Sequence, residues 1–341
     1  MHRTALDKKV ASLHALRSAG DRAAAHEPLR RALNDRNNYI VGRAAAIIGE
    51  LRLEELIPDL LVAFDRFFEE PVKADPQCLA KNAIAQALKD LGHHAAAAYV
   101  RGIVHVQLEP TWGGRADSAA ALRGTCALAL TDCYLDDLEI LTYLADALGD
   151  PDKLVRIDSA IAIHQLGRPE GALLLRLKLL MGDQHPDVLG QCFSALLGLA
   201  TDGSLAFVSR FLQSANADVQ LEAASALAHC RDPQAIGVLK EFWHEPLLSI
   251  ELRRVLLIDL GASPLPESAD FLLAVVAGDA PALAASALTA LSSSRYHAEL
   301  RNRVAAALEQ RNDPRLSSMF EQQFGSVAHQ TGARADGRKP S

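Results

Sequence analysis

Apolar positions along the chain recur with the 3.6-residue period of helices, and strand-type alternation is absent. A longer period lies over the short one. An aliphatic anchor is followed by small or apolar residues at +4, +5, +7 and +8. Val155 is followed in this way by Ser159, Ala160, Ala162 and Ile163, and Val188 by Cys192, Phe193, Ala195 and Leu196. Val219 leads to Ala223, Ala224, Ala226 and Leu227, and Leu283 to Ala287, Leu288, Ala290 and Leu291. Looser copies start at Ile40, Ala80, Leu122 and Ile250. The eight anchors are 40, 42, 33, 33, 31, 31 and 33 residues apart. The spaced positions form one helix stripe, and alanine on that stripe lets a neighbouring helix approach closely.

A breaker precedes each well-formed anchor: Asp35-Arg36-Asn37-Asn38, Asp150-Pro151-Asp152, His185-Pro186-Asp187, Asn216-Ala217-Asp218 and Asp279-Ala280-Pro281. Asp and Asn cap the helix that follows, and Pro suits its first turn. Before the breakers lie second amphipathic segments, among them 138–148, 173–181, 205–212 and 235–243. The unit is therefore a helix–turn–helix pair. One pair cannot bury its apolar face alone, so successive pairs must stack.

The run Asp150-Pro151-Asp152-Lys153-Leu154-Val155-Arg156, closing on Leu166-Gly167, resembles the HEAT repeat, in the short bacterial form of phycobilisome-lyase-like proteins. Leu122-Arg123 with Cys126, Ala127, Ala129 and Leu130 fits as well, as does the run ending in Leu91-Gly92. Leu189, Gln220, Glu251 and Ala284 stand where the repeat has its Arg. The resemblance spans about residues 26–310 and implies an all-α fold. The expected form is a right-handed α-solenoid, an ARM/HEAT-type superhelix of about eight helix–turn–helix repeats with capping helices. One solenoid is expected over 1–325, with an N-terminal cap at about 4–20 and a C-terminal cap at about 311–325. Residues 326–341 are polar and aperiodic, and are expected to be disordered. The repeat serves scaffolds, transport receptors, lyases and DNA-repair enzymes alike, so it implies a fold rather than an activity.

Composition narrows the function classes. The chain has 341 residues, is 49% hydrophobic and carries a formal charge of −7. Arg334, Arg338 and Lys339 against Asp336 make the tail +2, which leaves −9 on the repeats. Nucleic-acid affinity rests mainly on a basic face, so this balance disfavours a nucleic-acid binder. Cys78, Cys126, Cys133, Cys192 and Cys230 are odd in number and scattered, which fits reduced thiols rather than a disulfide framework. With no apolar leader and no run of ~18 uncharged apolar residues, the expectation is a cytoplasmic protein without a membrane span.

No motif of nucleotide binding, acyl transfer or zinc proteolysis occurs, and neither an enzyme activity nor a cofactor is expected. Adjacent His93 and His94 point ~100° apart on a helix and share a metal poorly. Cys126 and Cys133 read as packing. Asp132, Asp136 and Asp137 can hold a hard cation or cap a turn.

Two sets of candidate binding residues remain. The +3 positions flank the packed stripe as Arg43, Thr125, Asp158, Gln191, Glu222, Arg253 and Ser286, a polar row of mixed sign suited to a protein or peptide partner. The second set lies where the period lengthens, near Phe67–Pro76 and over His105–Asp117. Long loops in repeat arrays often carry function. In the second of them Gly113-Gly114 allows a sharp turn that brings Trp112 and Arg115 together, with Glu109 and Asp117 placed to orient Arg115. Trp112 then either plugs the irregular junction or forms the lip of a binding groove. The function expected is a non-catalytic protein–protein interaction scaffold. The alternatives are a lyase-like accessory enzyme for a chromophore or small molecule, and a repair-type nucleic-acid protein.

Overall fold

The structure is a computed structural model that describes residues 5–19, 21–200 and 202–325. The tail at 326–341, expected to be disordered, lies outside the described residues. Among those described, the chain forms twenty α-helices, three short 3-10 helices and one two-stranded hairpin. No helix among them is long and apolar enough to cross a membrane. The fold is all-α apart from the hairpin.

The chain divides into two compact units, Met1–Ala195 and Leu196–Ser341. In the first, α1 (Ala5–Ala19) and α2 (Arg22–Leu33) precede α3 (Asn38–Glu50), α4 (Ile57–Arg66) and the short α5 (Pro71–Ala74). Then come α6 (Leu79–Asp90), α7 (Ala97–Ile103), strands β1 (Leu108–Thr111) and β2 (Gly114–Asp117), and α8 (Ala120–Leu130). Helices α9 (Asp137–Leu148), α10 (Lys153–Leu166), α11 (Gly171–Met181) and α12 (Pro186–Gly198) follow. One column of the unit stacks α3 on α6, α6 on α8 and α8 on α10; α7, α9 and α11 form a second layer. This is the stacking of helix pairs that the HEAT resemblance implies.

The second unit contains α13 (Ser204–Ser209), α14 (Ala217–His229), α15 (Pro233–Trp243), α16 (Ile250–Ala262), α17 (Pro266–Gly278), α18 (Pro281–Ser293), α19 (His297–Arg311) and α20 (Pro314–Phe324). Here α14, α16, α18 and α20 pack in succession, with α15, α17 and α19 as the second layer. Helix α1 lies in the range expected for the N-terminal cap, and α20 in the range expected for the C-terminal one.

The anchors and small residues that set the period are the core. Ile40, Ala80, Leu122, Val155, Val188 and Leu283 are buried, together with their +4, +5, +7 and +8 partners. Breakers act as caps where expected. Asn37, Asp152 and Asn216 each accept a hydrogen bond from a first-turn N–H, and Pro186 and Pro281 open their helices.

One anchor moves. Ile250 is 40% exposed, whereas Leu252 is 7% exposed and is followed by buried Leu256, Leu257 and Leu260. The true anchor is therefore Leu252, two residues on, and the adjoining intervals become 33 and 31. The shift has two consequences. Arg253 becomes the Arg directly after an anchor, so it is not a +3 groove residue. Asp259 becomes the +7 residue, a place filled elsewhere by buried Ile47, Ala87, Ala129, Ala162, Ala195, Ala226 and Ala290. Its Oδ2 is buried without a hydrogen-bond partner, and burial pushes its carboxyl upward, with Ser225 and His229 opposing.

A polar ladder ties the first unit together. Five residues before each of its anchors stands an aspartate: Asp35, Asp75, Asp117, Asp150 and Asp183. In four of the five, Asp35, Asp117, Asp150 and Asp183, Oδ1 accepts the N–H two residues on, which closes the turn. Asp117, Asp150 and Asp183 also take the Arg that follows an anchor, whereas Asp35 takes Lys9. Arg123 donates through Nε and Nη2 to Asp150 at 2.7 and 3.0 Å, and Arg156 does the same to Asp183 at 2.8 and 2.9 Å. Arg156 also caps the carbonyls of Asp150 and Pro151, and Lys178 adds a contact to Asp183 at 2.7 Å. Burial pushes the Asp183 carboxyl up, but hydrogen bonds from Lys178, Arg156 and the His185 N–H outweigh it and hold it at about 2.

Three expectations follow from this packing. Ala160→Phe and Ala224→Phe should each cost about 1–3 kcal/mol by overpacking, seen as a lowered melting temperature; unchanged melting would place the helix crossings elsewhere. Asp183→Ala strands Arg156 and Lys178 in a buried place and should cost about 3–5 kcal/mol. Because the folded carboxyl lies below its ordinary 3.8, the wild-type contribution is complete above 3.8 and is lost as pH falls towards about 2, which denaturant titrations across that window would read. Asp259 has the opposite sign. Its folded value is raised, so stability is whole below 3.8 and falls as pH rises through that folded value. Asp259→Ala should therefore gain about 1–3 kcal/mol at neutral pH, with the gain vanishing in acid.

Candidate functional site

The two lengthened junctions meet each other. The first folds as α5 and a 3-10 turn (Pro76–Cys78), with Glu70, Gln77 and Cys78 at φ of 44°, 62° and 53°. The second is not a plain loop but the antiparallel hairpin of β1 and β2, paired Leu108↔Asp117, Glu109↔Ala116, Pro110↔Arg115 and Thr111↔Gly114. Gly113 closes it at φ +89°, a value that costs glycine little. The strands escape a search for alternation because each is four residues long. Their pattern is also inverted, since Gln107 is buried while Val106 and Leu108 are exposed.

The root of the hairpin is a closed polar network. Gln107 Nε2 donates to Asp75 O at 2.8 Å and to Glu109 Oε1 at 2.7 Å. Glu109 Oε1 also accepts the Gln77 N–H at 2.7 Å and the Ser118 hydroxyl at 2.6 Å. On the other strand, Asp117 Oδ1 accepts the N–H groups of Gln107 and Ala119, and Oδ2 accepts from Arg123 Nη1 at 2.6 Å. Below lies a fully buried ion pair, Lys81 Nζ with Asp75 Oδ2 at 3.1 Å, and Lys81 also donates to Phe67 O. Asp75 accepts further hydrogen bonds from the Ala80 and Lys81 N–H groups and from Asn38 Nδ2. The Phe68 ring sits 4.8 Å from His105, with the Arg101 guanidinium 4.1 Å from its centroid. Segments far apart in sequence, such as Asn38 and Asp75 or Asp75 and Gln107, are thereby fastened together.

This root has little chemistry to spare. Burial alone would raise the Glu109 carboxyl, but its hydrogen bonds from Ser118, Gln107 and Gln77 hold it below the ordinary value; Asp117 is lowered likewise, against burial, by Gln107, Ala119 and Arg123. Both are saturated anions rather than poised bases. Burial raises the Cys78 thiol to about 12 and the Cys133 thiol to about 11, which keeps both protonated at neutral pH. Among the described residues, no group of three His, Cys, Asp or Glu side chains is placed to hold a metal ion. Asp136 caps α9, and Asp137 pairs with Arg168 at 2.5 Å, so these two members of the acidic turn are engaged.

The tip differs. Trp112 is 106% exposed, so it does not plug the junction; the braced root already fills it. Arg115 is exposed and forms no ion pair among the described residues. Glu109 and Asp117 do not orient Arg115. Glu109 projects to the other side of the hairpin, by the alternation of strand side chains, and the Asp117 carboxylate is consumed by Arg123 and two backbone N–H groups.

The +3 row divides between the units. Arg43, Asp158 and Gln191 are half-buried in the first, on α3, α10 and α12. Thr125 donates to Asn82 Oδ1 at 3.1 Å. Asp158 lies flat on α8, where a β-carbon at Gly124 would come within 2.1 Å of its Oδ2; burial raises its carboxyl, Lys89 opposing and Asp152 adding. In the second unit Glu222 is half-buried and Ser286 bonds its own helix at Ala282 O. Arg253 instead lies over the Trp243 ring at 5.5 Å and donates to Glu245 O. Sequence reasoning missed Gln107, Ser118 and Lys81; the inverted polarity of 105–109 was the available signal.

No protein-family model matches this chain, and no curated protein matches it. Among solved structures it is similar to human deoxyhypusine hydroxylase in complex with glycerol, at 18% identity over 76% of this chain and 90% of that one, with a TM-score of 0.29. It is also similar to the complex of CpcE and CpcF of phycocyanin lyase from Nostoc sp. PCC7120, at 18% identity over 84% of this chain and 93% of that one, with a TM-score of 0.36. At these scores the likeness carries neither an activity nor a ligand to this chain.

Proposed function

We propose that the protein is a non-catalytic protein–protein interaction scaffold whose contact element is the hairpin tip. The observation that carries this reading is the contrast between root and tip. The polar side chains at the root are tied down, while a Trp, with its large apolar ring in water, stands free at the end of a rigid arm. Trp and Arg dominate binding hot spots because they combine large contact area with directional donors. A braced arm also loses little entropy on binding. The half-buried polar row of Arg43, Asp158 and Gln191 in the same unit supplies further polar contacts.

Capture of partners by immobilised wild type, Trp112→Ala and Arg115→Ala tests the reading. Trp112→Ala should lose the captured protein about tenfold or more while melting as wild type does, because the side chain is fully in solvent. Undiminished capture by both variants would sink the hairpin as the contact element.

A further inference from the structure

We infer that the outward side of this hairpin receives an amphipathic helix of a partner protein, one that carries carboxylates beside its apolar stripe. The inference rests on the proposed function and names the partner's chemistry. Side chains of an extended segment alternate sides. From 105 to 110 the inward set is His105, Gln107 and Glu109, all held by the root. The outward set is Val106, Leu108 and Pro110, exposed and apolar, and exposed Val104 lies just before them at the end of α7. With Trp112 at the tip, this edge offers four apolar side chains to solvent in a row. An ordinary surface segment carries the reverse pattern, and contiguous exposed apolar surface of this kind marks a docking place.

The charge of the face selects the occupant. Arg115 pairs with Pro110 in the register and so shares the side of Leu108 and Pro110. Asp117 shares that side too, but its charge is spent on Arg123. Among the described residues of the hairpin, the face therefore presents the Arg115 cation amid apolar groups, on a chain whose net charge is −7. A carboxylate at the rim of an apolar contact complements it, and an ammonium there is repelled.

Geometry favours a helix over an added strand. Pro110 has no N–H to offer a new neighbour, which spoils β1 as an edge for strand addition. From Val106 to Pro110 the strip runs about 13 Å at ~3.3 Å per residue, the length of roughly two and a half helical turns at about 5.4 Å. Apolar side chains at i, i+3, i+4 and i+7 of such a helix cover it.

The protein carries its own reporter. Of its two tryptophans, Trp243 is buried edge-on against Phe271, so a blue shift of emission on binding reports Trp112. Two synthetic helical peptides with the same leucine stripe, one flanked by Glu and the other by Lys, are titrated into the full chain. The Glu-flanked peptide should shift the emission and bind on the order of tenfold tighter than its twin. Added salt should narrow the gap, and Arg115→Glu, with unchanged circular dichroism and melting, should invert the preference. Equal affinities, a preference indifferent to Arg115→Glu, or no binding of either peptide overturns the inference. So does an emission shift seen only with phosphatidylserine vesicles, which would make the face a lipid contact. If the peptides fail while partner capture still depends on Trp112, only the helix assignment falls; if capture is also indifferent to Trp112, the proposed function falls with it.

Discussion

A single carboxylate placed five residues before a helix anchor organises the first unit. It closes the turn by accepting a backbone N–H, and it receives the guanidinium that follows an anchor, so the start of one helix is referenced to its neighbour. Alanine stripes let helices approach, but apolar contact is non-directional and does not fix how far one pair rotates against the next. Bidentate Arg–carboxylate geometry does. The repetition of one offset, 27 residues from Arg123 to Asp150 and again from Arg156 to Asp183, shows the same joint used twice.

The lengthened junctions are where that joint cannot be repeated, and the hairpin replaces it. Lys81 stands where Arg123 and Arg156 stand in their repeats. An ammonium is a point donor without the planar fork of Arg, and Lys81 spends it on Asp75 of its own turn and on Phe67 O. Across the gap, the inserted Gln107 reaches Asp75 O, and Glu109 reaches the Gln77 N–H. The insertion thus brings its own donors and acceptors for the work the ladder does elsewhere. Its polar side must face inward to do so, and alternation then turns Val106, Leu108 and Pro110 out to solvent. That these positions face solvent is a structural consequence of the root; that they are apolar is not.

The repeat itself is legible because it is written in side-chain size. Small residues at fixed offsets from an anchor have few readings other than close helix crossing, and Ala160 and Ala224 lie inside. The error at Ile250 has the same origin: one turn of α16 offers two aliphatic residues, and only burial tells Ile250 from Leu252. Choosing the wrong one puts Arg253 on the +3 row and hides Asp259. Asp150 and Asp183 look like simple breakers, because a capping carboxylate reads the same in sequence whether or not a distant Arg reaches it. The hairpin escapes notice since four-residue strands give periodicity too little length, although the alternation of Val106, Leu108 and Pro110 with Gln107 and Glu109 stands in plain view.

The second unit shows what happens when the ladder is absent. Ser214, Leu247 and Gly278 stand five residues before its anchors, so no carboxylate awaits a cation. Ser214 still closes its turn on the Asn216 N–H, which separates the two duties of the aspartate: the turn survives a change to Ser, the joint does not. Arg253 keeps the ladder position and finds Glu245 O and the Trp243 face, leaving Nε buried and unsatisfied. Asp259, placed at an alanine site on the same helix, is half-buried with one carboxyl oxygen unsatisfied, the opposite fault. Asp183 and Asp259 therefore respond to protons in opposite senses, the first joint weakened as Asp183 takes up a proton and α16 as Asp259 gives one up. A unit jointed by buried ion pairs holds its geometry over the neutral range, and the hairpin is rooted in that unit.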